Sequence, residues 1–172
     1  MDLIDKRVVL TGGASGIGAA VLRRIANAGA RCVHVADQNQ AALSALISEL
    51  SPQCDIQGAT LDVTDREALT NWFNGADAAM GGIDIVINNA SAINLTRTDQ
   101  TPAKRFDLMF DVNVRGTFLT SQAALPHLRK SAAEGRNPHI LNLSPPLSMK
   151  PVWFKNHVAY TMAKYGMSMC VL

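Results

Sequence analysis

The chain has 172 residues, of which 48% are hydrophobic and 17% charged, and its formal net charge is +2. That size and apolar content suit one globular domain with a substantial core rather than a disordered segment. So small a charge, with no run of like charges, gives no reason to expect a nucleic acid or an acidic membrane surface as partner. Cys32, Cys54 and Cys170 are isolated, and His34, His127, His139 and His157 are scattered. Neither a disulfide framework nor a metal site is therefore expected. Asp2, Asp5 and Lys6 precede only a short apolar run, which is neither a signal peptide nor a membrane span, so a soluble cytoplasmic protein is the expectation.

In chain order, Lys6 to Thr11 reads as a buried strand, followed by a helix with apolar positions Ile17, Ala20, Val21, Ile25 and Ala28. Arg31 to Ala36 is a second strand, and Leu43, Leu46, Ile47 and Leu50 mark the next helix. Ile56 to Leu61 is a weaker third strand. Thr64-x-x-Glu67 has the form of a capping box and opens a helix whose stripe is Leu69, Trp72, Phe73, Ala76 and Met80. Ile83 to Ile87 is a near-continuous apolar strand, as a sheet covered on both faces requires. Thr101-Pro102 starts another helix. Helical signal then continues from about Val112 to about Lys130, with a bend expected at Pro126. His139 to Leu143 is the fifth strand, and a last helix begins near Val158 and reads as cut at Leu172. The alternation predicts a doubly wound α/β fold of Rossmann type over residues 1–172, with a parallel sheet and helices on both faces.

The segment Thr11-Gly12-Gly13-Ala14-Ser15-Gly16-Ile17-Gly18 lies between the first strand and the first helix. Gly12 can turn tightly, Gly16 lets backbone approach a pyrophosphate, and Gly18 lets the helix pack closely on the strand. Phosphates would sit at the helix N-terminus, near Ser15, Gly16 and Ile17, where free N–H groups and the helix dipole favour negative charge. Asp37 closes the second strand 19 positions after Gly18, near the ~20 typical of a ribose-binding acid. Its carboxylate would accept from both ribose hydroxyls and repel a 2′-phosphate, and no lysine or arginine adjoins the turn. NAD is therefore the expected cofactor, in preference to NADP.

The spacing Gly-x-x-x-Gly-x-Gly resembles the short-chain dehydrogenase/reductase family, and further segments fit it. Asp62-Val63 resembles the pair that contacts adenine. Asn88-Asn89-Ala90-Ser91 is similar to the family's N-N-A-G, with serine for glycine, which puts Asn89 and Ala90 beside the cofactor. Asn113 in Asn-Val-Arg-Gly matches the catalytic asparagine, and Tyr160-Thr-Met-Ala-Lys164 matches Y-x-x-x-K. From Asn88 onward the chain most resembles the hydroxysteroid dehydrogenase-like branch, through Ser144-Pro145-Pro146 and Pro151-Val152-Trp153-Phe154. The resemblance implies an oxidoreductase acting on a small alcohol or carbonyl, with a lipid-like substrate as one option. It also implies a homodimer or homotetramer if the full fold is present. The family's last strands would lie beyond Leu172.

Tyr160 and Lys164 are i and i+4, so on a helix they share a face. A tyrosine pKa of ~10 is too high for a base at neutral pH, but a nearby ammonium favours the phenolate. Tyr160 would then exchange a proton with the substrate oxygen while hydride moves to or from the nicotinamide. By resemblance, Lys164 also holds the nicotinamide ribose and Asn113 anchors a water in the proton relay. The family's catalytic serine lies thirteen residues before the tyrosine, where this chain has Leu147. Ser144 is the preferred substitute because it ends the strand, and Ser148 is the alternative. Trp153 and Phe154 either wall an apolar substrate or cover the core. The competing functional reading is a chain that binds the dinucleotide and is catalytically silent. A sugar-nucleotide epimerase also uses Tyr-x-x-x-Lys but prefers a G-x-x-G-x-x-G turn, which this one does not match.

Overall fold

The computed structural model describes residues 3–145, 148 and 150–170. Among them are the strands β1 (Arg7–Thr11), β2 (Cys32–Asp37), β3 (Asp55–Thr60), β4 (Ile85–Asn88) and β5 (His139–Asn142). They form one parallel sheet in the order β3-β2-β1-β4-β5. The chain therefore winds outward from β1 to β3, then returns to the other side of β1. The helices are α1 (Gly16–Ala26), α2 (Gln40–Leu50), α3 (Arg66–Met80), α4 (Ala103–Phe110), α5 (Thr117–Ala133) and α6 (Val158–Met169). Leu22 and Ile25 of α1 and Leu43, Leu46 and Leu50 of α2 pack on one sheet face. Leu69, Trp72 and Phe73 of α3 and Leu119 and Leu128 of α5 pack on the other. β1 is buried along its whole length, with Val8, Val9 and Leu10 as an apolar centre, because helices cover both of its faces. β5 lies at a sheet edge, where Leu141 is 52% exposed. No helix among the described residues is long and apolar enough to cross a membrane.

Several local expectations are corrected. The stripe of α3 is buried as read, but its cap is Asp65, whose side chain accepts from the Ala68 amide. Thr64 instead donates through both its amide and its hydroxyl to Asp62 Oδ1, at 2.8 Å each. The buried stripe of α1 is Gly18, Ala19, Leu22, Ile25 and Ala26, and Ile17 is 67% exposed because it faces the cleft at the helix start. Thr101 does not cap α4; its hydroxyl donates to the Arg97 carbonyl, and Pro102 is the residue before the helix. α4 and α5 run into one another. Asp111–Gly116 forms a π-helical segment between them with helical dihedrals at both junctions, so the chain is helical from Ala103 to Ala133, through Pro126. Val171 and Leu172, where the last helix reads as cut, lie outside the described residues.

One end of the sheet is held by a buried carboxylate. Asp84, just before β4, is wholly buried. It accepts from the Arg7 amide (3.0 Å), Arg7 Nε (3.0 Å) and Nη2 (2.7 Å), Ser131 Oγ (2.6 Å), and Arg136 Nε and Nη2 (3.0 Å each). Burial alone would raise its pKa, but these donors from Arg7, Arg136 and Ser131 hold it well below the usual carboxylate range. The cluster ties the starts of β1 and β4 to α5 and to the turn before β5.

Removing the charge at Asp84 leaves the buried Arg7 with only its longer contact to the exposed Glu134 carboxylate (3.4 Å). Asp84→Asn is expected to lose about 3–5 kcal/mol at pH 7 by urea unfolding. Because the folded pKa is depressed, the native contribution is complete above the unfolded-state value of ~3.9 and is lost as pH falls below it. The stability gap between parent and variant should therefore shrink below about pH 4. A gap that stays constant down to pH 3 would contradict this assignment.

Candidate active site

The cleft lies where β1 and β4 end side by side, the point at which the strand order reverses and ligands of open α/β sheets bind. It encloses about 630 Å³, within the range of cofactor sites. Three loops build it. The first is the glycine turn after β1. Gly12 has φ +67°, and a Cβ there would lie 2.7 Å from Ala90 Cα. A Cβ on Gly18 would lie 1.9 Å from the Gly12 carbonyl oxygen, so α1 can start this close to β1 only with glycine at 18. Ser15 precedes α1 without a side-chain cap bond, and no acidic residue occupies the first turn. The first amides of α1 are thus left to an anion.

The second loop follows β2. Asp37 is half-buried at its end, where Oδ2 accepts from the Ala14 amide and Oδ1 from the Asn39 amide, both at 2.9 Å. These bonds fix the carboxylate at the cleft rim and couple it to the glycine turn. Further along the same wall, Asp62 is organised by Thr64, and buried Val63 packs against the π-helical segment at Gly116.

The third loop follows β4. Asn89 Nδ2 donates to the carbonyls of Gly12 (2.6 Å) and Thr11 (3.2 Å), while the amides of Asn89 and Ala90 donate to Thr11 Oγ1 (3.2 and 3.3 Å). Asn88 turns the other way and donates to Ser121 Oγ (3.1 Å) and Asn142 Oδ1 (2.8 Å). Asn142 donates in turn to the Met167 carbonyl of α6 (3.0 Å). Further out, the amide and carbonyl of Ala92 pair with Asn113 Oδ1 (2.9 Å) and Nδ2 (2.8 Å). Asn113 is completely buried in the π-helical segment.

The cleft thus brings together Gly12, Ser15, Gly16, Ile17, Gly18, Asp37, Asp62, Val63, Asn89, Ala90 and Tyr160. Asn113, Lys164 and Ser144 are not among its lining residues. Lys164 is 7% exposed, and its Nζ donates to the Leu143 carbonyl (2.6 Å) and contacts Met167 Sδ (3.2 Å). Burial pushes the Lys164 pKa down. Ser144 Oγ accepts from Ser168 Oγ (2.7 Å). Ser148 is held on α6 by Tyr165, which accepts its amide proton (3.1 Å) and donates to its carbonyl. Phe154 packs edge-to-face on Tyr165 at 5.6 Å, and the Trp153 carbonyl accepts from Thr161. Pro146 and Leu147 lie outside the described residues.

Leu108 and Asp111 escaped the sequence analysis, while Thr11, Asn88 and Ser91 were seen there as members of the glycine turn and of Asn88-Asn89-Ala90-Ser91 without a role of their own. The roles of Thr11 and Asn88 were hidden because their partners lie dozens of positions away. Leu108 and Asp111 carry no motif and reach the cleft only because α4 continues through the π-helical segment.

The sequence profile described as short chain dehydrogenase matches residues 6–171. The chain is 48% identical to hydroxysteroid dehydrogenase-like protein 2 of Danio rerio, across 96% of this chain and 40% of that protein. It thus spans about two-fifths of the length of such curated relatives. A solved short chain dehydrogenase homolog from Mycobacterium thermoresistibile is 37% identical, with a TM-score of 0.84 over 98% of this chain and 61% of that one. A metagenomic short-chain oxidoreductase solved in complex with NADP is 27% identical, with a TM-score of 0.83 over 98% of this chain and 74% of that one. On its profile, its relatives and its strand order, the chain belongs to the short chain dehydrogenase family.

Proposed function

We propose that this chain binds a nicotinamide dinucleotide, NAD(H) in preference to NADP(H), and interconverts an alcohol and a carbonyl with Tyr160 as proton donor and acceptor. The observation that carries this reading is a single cleft holding an uncapped helix N-terminus, a fixed carboxylate and a tyrosine: α1, Asp37 and Tyr160. The residues fit such a ligand. A Cβ on Gly16 would meet nothing within 4 Å, so the turn leaves open space where a pyrophosphate would approach. The preference for NAD(H) rests on charge. Asp37, Asp62 and Asp111 line the cleft, and no lysine or arginine does among the described residues. A 2′-phosphate would meet repulsion there without compensation. The NADP in the metagenomic relative belongs to that protein's own site.

When bound, the dinucleotide supplies or accepts the hydride. In the reductive direction Tyr160 gives its phenolic proton to the substrate oxygen as that oxygen becomes negative, and in oxidation it takes the proton back. Lys164, one helical turn on, would hold the nicotinamide ribose. The side chain of Asn113 pairs through Oδ1 and Nδ2 with the Ala92 backbone, so its part is to hold the outer wall. Ile93 and Leu108, both exposed at the outer wall, favour a substrate with an apolar body. A second reading, binding without turnover, is favoured by the inward-held side chains of Lys164 and Ser144.

Titration calorimetry with NADH and NADPH, alongside NADH oxidation over a panel of aliphatic and aromatic ketones, separates the two readings. Turnover supports the first, and NADH binding without turnover the second. Gly18→Ala is expected to abolish NADH binding, because no rotamer removes a Cβ from the Gly12 carbonyl. Asp37→Ala should weaken NADH binding by about 10-fold or more, the worth of hydrogen bonds to a charged group, and narrow the preference over NADPH. Tyr160→Phe should lower kcat by about 10²- to 10⁴-fold while NADH affinity stays within about two-fold; retained turnover would remove Tyr160 from the chemistry.

A further inference from the structure

A second hydrogen-bond donor to the substrate oxygen, besides the proton donor, lowers the barrier to carbonyl reduction, and the two serines expected to supply it do not line the cleft. Ser144 Oγ is paired with Ser168 Oγ, the Ser148 backbone is clamped by Tyr165, and neither serine lines the cleft. Among the described cleft-lining residues the aliphatic hydroxyls are those of Ser15, Thr64 and Ser91. Ser15 belongs to the phosphate turn, and Thr64 donates to Asp62 on the β3 side. Ser91 is different. It is exposed within the loop after β4, and it stands where the family pattern N-N-A-G has a residue without a side chain.

Its surroundings make Ser91 a fixed group rather than a loose surface serine. The preceding loop is anchored to β1 through Asn89, Ala90 and Thr11. The next residue, Ala92, has its amide and carbonyl both taken by Asn113. Ala92 also packs in the same small apolar cluster as Tyr160, together with Ala159 and Ala163. The backbone of Ser91 is therefore restrained on both sides, and its neighbour shares a packing cluster with Tyr160.

We propose that Ser91 is the cleft's polarising hydroxyl, donating a hydrogen bond to the substrate oxygen that exchanges its proton with Tyr160, the part the sequence assigns to Ser144. The inference rests on the dinucleotide reading of the cleft. A hydroxyl here strengthens its bond as the oxygen gains negative charge, which lowers the barrier rather than only tightening binding.

The test compares parent, Ser91→Ala and Ser91→Thr in three measurements on the full chain. These are NADH affinity by calorimetry, kcat/KM over the ketone panel, and affinity of the NADH complex for hexanamide, an unreactive carbonyl probe that needs no turnover. Ser91→Ala should keep NADH affinity within about two-fold and lose about 10- to 100-fold in kcat/KM or in hexanamide affinity, the range for one hydrogen bond to a charge-bearing oxygen. Ser91→Thr, which keeps the hydroxyl, should recover most of that loss. Unchanged values in Ser91→Ala overturn the proposal, as does an equal loss of NADH affinity, which would make Ser91 a cofactor contact. If the parent binds no NADH, the dinucleotide reading fails, and this inference with it. If NADH binds and only the Ser91 effects are missing, this inference fails alone.

Discussion

The close approach of β1, α1 and β4 at one end of the sheet is the constraint on which the cleft depends. Gly18 sits so near the Gly12 carbonyl that no side chain fits between them, and the Asn89 amide bridges to the same carbonyl at 2.6 Å. Thr11 completes the join by accepting from two successive amides of the β4 loop. A larger residue at 18 would push the start of α1 outward and carry Ser15, Gly16 and Ile17 with it. Asp37 would lose its aim too, because one of its oxygens is held by the Ala14 amide of the same turn.

The opposite end of the sheet is secured by different physics. There a buried carboxylate gathers two guanidinium groups and a hydroxyl, an arrangement stable only because every lone pair of Asp84 is met. β1 and β4 are thus fixed at both ends, by charge at their starts and by neutral hydrogen bonds at their finishes. Neutral groups suit the cleft end, since a buried ion pair there would compete with an incoming charged ligand. Between the two ends, the long helix from Ala103 to Ala133 touches both. Its π-helical segment presents Asn113 to the loop wall, and Ser131 reaches Asp84.

Much of the fold was legible because it follows from local rules. The stripe Leu69, Trp72, Phe73, Ala76 and Met80 is buried as its 3.6-residue period requires. The stripe of α1 was misplaced because Ile17 is apolar for the sake of the cleft, and periodicity cannot separate that use from core burial. Thr64 and Asp65 both suit a helix start, and the choice turned on Asp62, which takes the Thr64 hydroxyl. The helical signal does continue past Val112, but the π-helical segment that joins α4 to α5 was not foreseen, since it carries no sequence signal and is decided by packing.

By itself the sequence determined the order of strands and helices, the glycine turn, the acid at its proper distance and the tyrosine–lysine pair on one helical face. Each of these is a matter of spacing along the chain. Only the tertiary structure decided which side chains share the cleft. Lys164 and Ser144 turn toward Leu143 and Ser168, while Leu108 and Asp111 enter from a segment with no motif of its own and Ser91 from a motif that gives it no role. Which way a side chain points depends on what lies across from it, and those partners come from elements far away in sequence, brought together only when the sheet and its helices pack.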